Sequence, residues 1–288
     1  MKTTLCKQVA LLSMLLLLIN QVNAKTPRAS SELLLPYLLT DSLIAKTTST
    51  IHSTAVPVTL QTPVRRFVEQ YLEEHAEMLE TIKFNNSSRF KTIQSILVKR
   101  GIPAELLYLA VIESKLKNTA TSGVGAAGIW QLMPVTARSL GLKVQGKTDE
   151  RRYVYQSSVA AANYLNELYK QFDDWLLVVA AYNCGAGNVY KAIRLSGSRE
   201  FWKLQRFLPT ETRNHVKRFI ATHFYYEEKG SLVTLTKTER NKYLSSLNEI
   251  IIENTENKTE DYPAQGKMFF NWVLVVHEAG ELILVARK

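Results

Sequence analysis

The chain has 288 residues, 46% of them apolar, which suits one ordinary domain with an appendage or two small ones and excludes disorder throughout. A formal charge of +10 suits either a scatter of solvated Lys and Arg or a polyanionic partner: nucleic acid, an anionic membrane or a carboxylate-bearing polymer. The two cysteines, Cys6 and Cys184, exclude a disulfide-rich framework.

Residues 1–24 read as a secretory signal peptide. Lys2 and Lys7 make a basic start, Val9 to Ile19 is almost wholly apolar, and Val22-Asn23-Ala24 puts a small residue at the expected cut. The apolar run is too short to cross a bilayer comfortably, although retention as an anchor is the alternative. Cys6 precedes that run, and no cysteine stands at the cut site for the lipid of a bacterial lipoprotein. Cleavage would leave Cys184 alone and a charge of about +8. Export makes nucleic acid an unsuitable partner, and no basic, aromatic-rich motif supports one.

Residues 25–62 are rich in Ser, Thr and Pro, with one apolar island at Leu33–Leu39, and read as a linker or loosely held arm. From Pro63 the residues Val64, Phe67, Val68, Tyr71, Leu72, His75, Met78, Leu79 and Ile82 recur at three- and four-residue steps. That spacing predicts a helix ending near Asn85-Asn86-Ser87-Ser88. A shorter helix is expected over Phe90 to Lys99, closed by Gly101. Pro103 opens a third, running through Leu116, whose Leu106, Leu107, Leu109, Ala110, Val111 and Ile112 make it apolar nearly all round, so it must be buried on most sides. A loop with Gly123, Gly125 and Gly128 follows, then helices near 134–140, 156–171, 174–182, 186–195 and 210–228. Asp173-Asp174 and Thr210 with Glu211 are the expected helix starts for two of them. Beyond Gly230, Phe269 to Val276 and Leu282 to Ala286 flank His277-Glu278-Ala279-Gly280-Glu281, a strand–turn–strand pattern. The expected class is mainly α, with residues 63–228 as a helical body and residues 229–288 as a small β-containing appendage.

Glu113 is the candidate for chemistry. It ends the apolar helix, and apolar surroundings disfavour the charged form of a carboxylic acid. A glutamic acid that keeps its proton can donate it to the leaving oxygen of a glycosidic bond. A helix-terminal carboxylate reaching water is the plain alternative, and the neighbourhood decides against it. That neighbourhood is Ile112-Glu113-Ser114, then Thr121-Ser122-Gly123 with Gly125-Ala126-Ala127-Gly128-Ile129-Trp130-Gln131-Leu132-Met133-Pro134, then Ala180-Ala181-Tyr182-Asn183-Cys184-Gly185-Ala186-Gly187, and finally Leu208-Pro209-Thr210-Glu211-Thr212-Arg213.

In this order and spacing the four blocks resemble lytic transglycosylases of the soluble-lytic-transglycosylase family, over roughly residues 63–228. The resemblance implies a goose-type-lysozyme-like helical domain with a long groove for glycan strands. It implies Glu113 as the single catalytic acid/base, Ser114 as its partner in a Glu-Ser pair, and Gly128, Ile129, Trp130 and Gln131 as the segment beside the cleaved bond. Tyr182 and Asn183 match the pair facing the glutamate, and Glu211 falls in the Glu-Thr-Arg block that helps close the sugar site. On this reading the glycines let backbone approach a sugar ring, and Trp130 offers it an apolar face, with a core role as the other reading of Trp130. Gln131 and Asn183 can each donate and accept hydrogen bonds. For Tyr182 and Asn183 an ordinary helix end, for Glu211 a helix-capping role, and for Ser114 a merely capping or orienting role stay open.

The implied reaction cleaves the β-1,4 bond between N-acetylmuramic acid and N-acetylglucosamine and closes a 1,6-anhydro ring. The implied partner is peptidoglycan in the periplasm, met by a monomer that needs no metal and no cofactor. Peripheral association with the membrane or a wall-spanning machine remains open. Cys184 stands where the family usually has a small residue, and the lipidation cysteine and C-terminal glycan-binding repeats of the nearest subgroup are not recognisable. Two rivals follow: a hydrolytic muramidase, needing a base such as Asp149, Asp173 or Asp174 across from Glu113, and a non-catalytic peptidoglycan-binding protein on the same fold. The scattered histidines lack the His-Glu-x-x-His pattern of a metalloenzyme.

Overall fold

The computed structural model describes residue 58, residues 62–259 and the segments 272–276 and 282–286. The leader expected at 1–24 and nearly all of the arm expected at 25–62 lie outside the described residues.

The fold is mainly helical, as the apolar periodicity requires. Helix α1 (Thr62–Asn85) is followed by α2 (Ser87–Val98), so the Asn85–Ser88 stretch makes the junction between two helices. A three-ten turn at Ala104–Leu106 leads into α3 (Leu107–Ser114), the glycine-bearing loop crosses to α4 (Pro134–Ser139), and a short antiparallel ribbon pairs β1 (Val144–Gln145) with β2 (Thr148–Asp149). A second three-ten turn, Glu150–Arg152, precedes α5 (Val154–Phe172), α6 (Trp175–Cys184), α7 (Ala186–Ser196), α8 (Phe201–Leu204) and α9 (Thr210–Glu227).

Two helices form the centre. In α3, Leu107 to Val111 are all at most 2% exposed, and in α6 every residue from Leu176 to Ala181 is fully buried. Helices apolar on every side have no solvent face to offer, so neighbours must surround them. Helix α9 packs on both, and α5 packs on α6. The long α1 lies along α9, where Tyr225 donates to Glu80 at 2.9 Å, Tyr226 donates to the Leu79 carbonyl at 2.8 Å, and the Lys217 ammonium sits over the Phe67 ring.

The central helices start and stop through local chemistry. Asp174 is the N-cap of α6: its Oδ1 accepts from the backbone N–H groups of Leu176 (2.9 Å) and Leu177 (3.2 Å). Gly185, at φ 84°, ends α6 in a conformation that L side chains rarely adopt. Helix α3 stops at Ser114, two residues earlier than expected, because Lys115 and Leu116 both turn left-handed. Glu113-Ser114 and Tyr182-Asn183 therefore occupy the C-terminal ends of the two most buried helices.

Past Glu227 the pattern was only partly legible. Trp272–Val276 (β3) and Leu282–Ala286 (β4) pair antiparallel, with Trp272 opposite Ala286 and Val276 opposite Leu282, as the strand–turn–strand pattern predicts. The same stretch also holds a helix that the sequence reading lacks, α10 (Lys237–Thr259). Its first turns are pinned to the body. The Lys237 backbone N–H donates to Asp174 at 2.6 Å, the Lys237 ammonium pairs with Asp173 at 2.6 Å, and Arg240 bonds both Asp173 (3.2 Å) and the Tyr169 hydroxyl (2.8 Å). No helix among the described residues is long and apolar enough to cross a membrane.

Candidate functional site

The four sequence blocks meet, joined pairwise by hydrogen bonds. Ser114 at the end of α3 donates to the Ile129 carbonyl at 2.9 Å and, more weakly, to Ala110 in the preceding turn at 3.3 Å. Tyr182 near the end of α6 donates to the Trp130 carbonyl at 2.7 Å. Asn183 accepts from the Thr212 hydroxyl at 2.7 Å, which fastens the end of α6 to the first turn of α9. Glu113 Oε1 lies 2.9 Å from His215 Nε2, closing the circuit from α3 to α9.

Glu113 keeps 17% of its side chain exposed, while the His215 side chain beside it is 3% exposed. The carboxylate is thus reachable from solvent on one side and held on the other. Desolvation pushes the Tyr182 phenol well above its usual range, and the nearby Glu113 charge pushes it further. Tyr182 accordingly stays a neutral hydrogen-bond donor at any working pH. Burial likewise pushes the Cys184 thiol up, which keeps it protonated and poorly nucleophilic at neutral pH.

The loop from 118 to 132 is shaped by two consecutive arginines. Arg151, 7% exposed, gives Nε and Nη2 to Asp149 (both 2.8 Å) and Nη1 to the carbonyls of Gly125 (2.7 Å) and Leu132 (3.0 Å). Arg152 reaches the Thr119 carbonyl at 2.8 Å and the Thr121 hydroxyl at 2.7 Å. The guanidinium fork suits this task, because its donors can meet carboxylate and carbonyls at once. Arg151 in turn holds the Asp149 carboxyl below the usual range.

Three expectations about this loop change. Trp130 is fully buried, and its indole N–H donates to Ser158 at 2.9 Å, so its ring is core and has no face for a sugar. Ile129 is 1% exposed and also packs inward, which leaves its carbonyl, taken by Ser114, as its contribution to the site. Gly128 is required by protein packing: at φ 79°, a Cβ there would lie 1.8 Å from the Arg151 carbonyl oxygen. Gln131 is partly exposed, sits at φ 48°, and donates to the Gly128 carbonyl at 2.9 Å. Glu211 is 67% exposed in the first turn of α9 and accepts from Arg218 at 2.5 Å. Neither Thr210 nor Glu211 caps α9, whose N-cap is Pro209 with no side-chain bond.

The aspartates that a hydrolytic mechanism could use are engaged elsewhere. Asp149 is bound to Arg151, Asp173 to Lys237 and Arg240, and Asp174 caps α6. His215 is the residue that sequence reading missed. It lies 102 positions from Glu113, and its only sequence signal is its place two residues past the fourth block, one helical turn beyond Glu211. Among the described residues, no group of three or more His, Cys, Asp or Glu side chains is arranged to hold a metal ion.

Residues 91–205 match the family model described as Transglycosylase SLT domain. Membrane-bound lytic murein transglycosylase D of Escherichia coli (strain K12) is 48% identical over 128 residues, covering 43% of this chain and 28% of that protein. A putative tributyltin chloride resistance protein of Alteromonas sp. (strain M-1) is 36% identical over 124 residues, covering 41% of this chain and 60% of that protein. Among solved structures, the 70 kDa soluble lytic transglycosylase of Escherichia coli aligns at 27% identity and TM-score 0.42, covering 50% of this chain and 26% of that one. The chain thus spans under a third of the length of the first of these relatives.

Proposed function

We propose that the chain, whose residues 91–205 match the Transglycosylase SLT domain model, is a peptidoglycan lytic transglycosylase acting in the periplasm. It cleaves the β-1,4 bond between N-acetylmuramic acid and N-acetylglucosamine and leaves a 1,6-anhydro-muramic end. The observation that carries this reading is the placement of Glu113: a partly exposed carboxylate at the end of a buried helix, bonded to His215, with the four blocks hydrogen-bonded to one another around it.

The chemistry follows from one group used twice. Glu113 gives its proton to the bridging oxygen as the C1–O bond breaks, and the muramic N-acetyl group stabilises the cationic centre that forms. Glu113, now a carboxylate, takes the proton of the muramic 6-hydroxyl as that oxygen attacks C1. No water enters, so no second carboxylate is needed, which agrees with the structural employment of Asp149, Asp173 and Asp174. Gln131, Tyr182, Asn183 and Glu211 flank the sugar in this reading, and Ser114, Gly128, Ile129 and Trp130 support the shape of the site. We assign the activity to residues 63–228 and the positive charge to attraction of the carboxylates on the peptide stems.

Mass spectrometry of purified peptidoglycan digested by the wild type and by Glu113→Gln tests the proposal. Anhydro-muropeptides are expected from the wild type alone. Products with reducing ends would overturn it in favour of a muramidase, and binding without release would favour a non-catalytic protein.

A further inference from the structure

Resting on the assignment of Glu113 as acid/base, we propose that His215 is a positioning residue that fixes which oxygen of Glu113 carries the catalytic proton. His215 is 2% exposed and meets Glu113 Oε1 through Nε2 at 2.9 Å. Its other ring nitrogen, Nδ1, is buried with no hydrogen-bond partner among the described residues. An imidazole in that setting has three protonation choices. The imidazolium and the Nδ1–H tautomer would each leave a buried N–H without an acceptor. The Nε2–H tautomer leaves only a buried lone pair and spends its single donor on Glu113. The geometry thus favours the tautomer in which Nε2–H donates to Oε1 of Glu113.

The consequence lies on the other oxygen. A carboxylic acid whose Oε1 accepts from an N–H carries its own proton on Oε2. Among the described residues no other hydrogen bond is made by the Glu113 side chain, so Oε2 is the oxygen left for the glycosidic bond. As the proton passes from Oε2 to the leaving oxygen, the C1–O electron pair departs with that oxygen and negative charge grows on the carboxylate. The Nε2–H···Oε1 bond strengthens as it becomes charge-assisted, so it stabilises the transition state more than the bound substrate. When the 6-hydroxyl closes on C1, its proton returns to Oε2 and the cycle ends as it began. The effect belongs in kcat and scarcely in KM, because His215 touches the carboxylate and no sugar.

Two substitutions separate donor from bulk. The variant His215→Leu removes the donor and is expected to lower kcat about 10- to 100-fold with KM within about twofold. His215→Gln can place an amide N–H near the position of Nε2 and is expected to recover most of that loss. Equal losses in both variants, or a loss confined to KM, would overturn the proposal. Nitrogen-15 shifts of His215 in the wild type at pH 7 give a test that needs no variant to fold: the neutral Nε2–H tautomer is expected, and Nδ1–H or imidazolium would overturn it. Anhydro product from the wild type is scored first, so a failed assignment of activity is seen separately from a failed role for His215.

Discussion

In the loop at 118–132 the polar groups are met from inside the protein: Arg151 and Arg152 take its carbonyls, Ser114 takes Ile129, and Tyr182 takes Trp130. At the adjoining Glu113 corner, hydrogen-bonding capacity is left over. Among the described residues Glu113 has one side-chain partner and a partly open side, and His215 keeps a buried nitrogen without one. The two regions touch, yet one is over-determined and the other is under-satisfied. A rigid loop makes sense beside a group that must exchange a proton, since its geometry has to survive while the charge on Glu113 changes. Incomplete satisfaction is tolerable where a substrate is to supply the missing contacts.

The sharpest way to break that contrast is to loosen the loop. Gly128→Ala would place a methyl 1.8 Å from the Arg151 carbonyl at a backbone φ of 79°. Both faults act together, and the loss of stability is expected at about 3 kcal/mol or more. Urea unfolding of the variant measures it. A cost below about 1 kcal/mol would mean that the loop can slide off Arg151, and the picture of a rigid frame would go with it.

The clamp was invisible from sequence for a definite reason. Glycines at 125 and 128 announce an unusual backbone, but nothing local says that two arginines more than twenty residues later hold it. Trp130 beside those glycines fits a sugar platform and a core plug equally well by composition, and only burial decides for the core. The central helices α3 and α6 were legible because a run of apolar residues on all sides leaves them no exposed placement. Helix α10 was not, because its short apolar run, Tyr243, Leu244, Leu247, Ile250 and Ile251, is flanked on both sides by wholly polar turns that dilute the stripe. His215 fell between these cases: a buried histidine opposite Glu113 is a fact of tertiary packing, and sequence order hides it.

A second buried histidine, eight residues along the same helix, sharpens the comparison. His223 bonds Ser231 at 2.8 Å, and burial pushes its pKa down to about 3. The unfolded chain binds a proton on this ring near pH 6.5, whereas the folded protein refuses it until about 3. The contribution is thus fully present above pH 6.5 and is lost as pH falls toward 3. Asp174, raised to about 6 by burial, works in the opposite sense, because its folded form holds a proton that the unfolded form releases near pH 4. Its contribution is present below pH 4 and lost as pH rises through about 6. The difference between wild type and His223→Gln isolates the histidine. The variant is expected to lose markedly less stability between pH 6.5 and pH 4, by thermal melting, and parallel curves would show that His223 does not resist protonation in the fold.

The smallest expected effect on stability tests whether the open side of the site extends to the start of α9. Glu211 is 67% exposed and pairs with a partly exposed Arg218. Pairs of this kind contribute roughly 0–1 kcal/mol, so Glu211→Gln should unfold within about 0.5 kcal/mol of the wild type. That near-neutrality makes its kinetics informative, because a change in activity could not be blamed on a damaged fold. If Glu211 meets the glycan, KM rises several-fold while kcat holds, the reverse of the split expected at His215. Unchanged KM would reduce Glu211 to a surface ion pair and draw the boundary of the under-satisfied region inside α9, between Glu211 and the bond from Thr212 to Asn183.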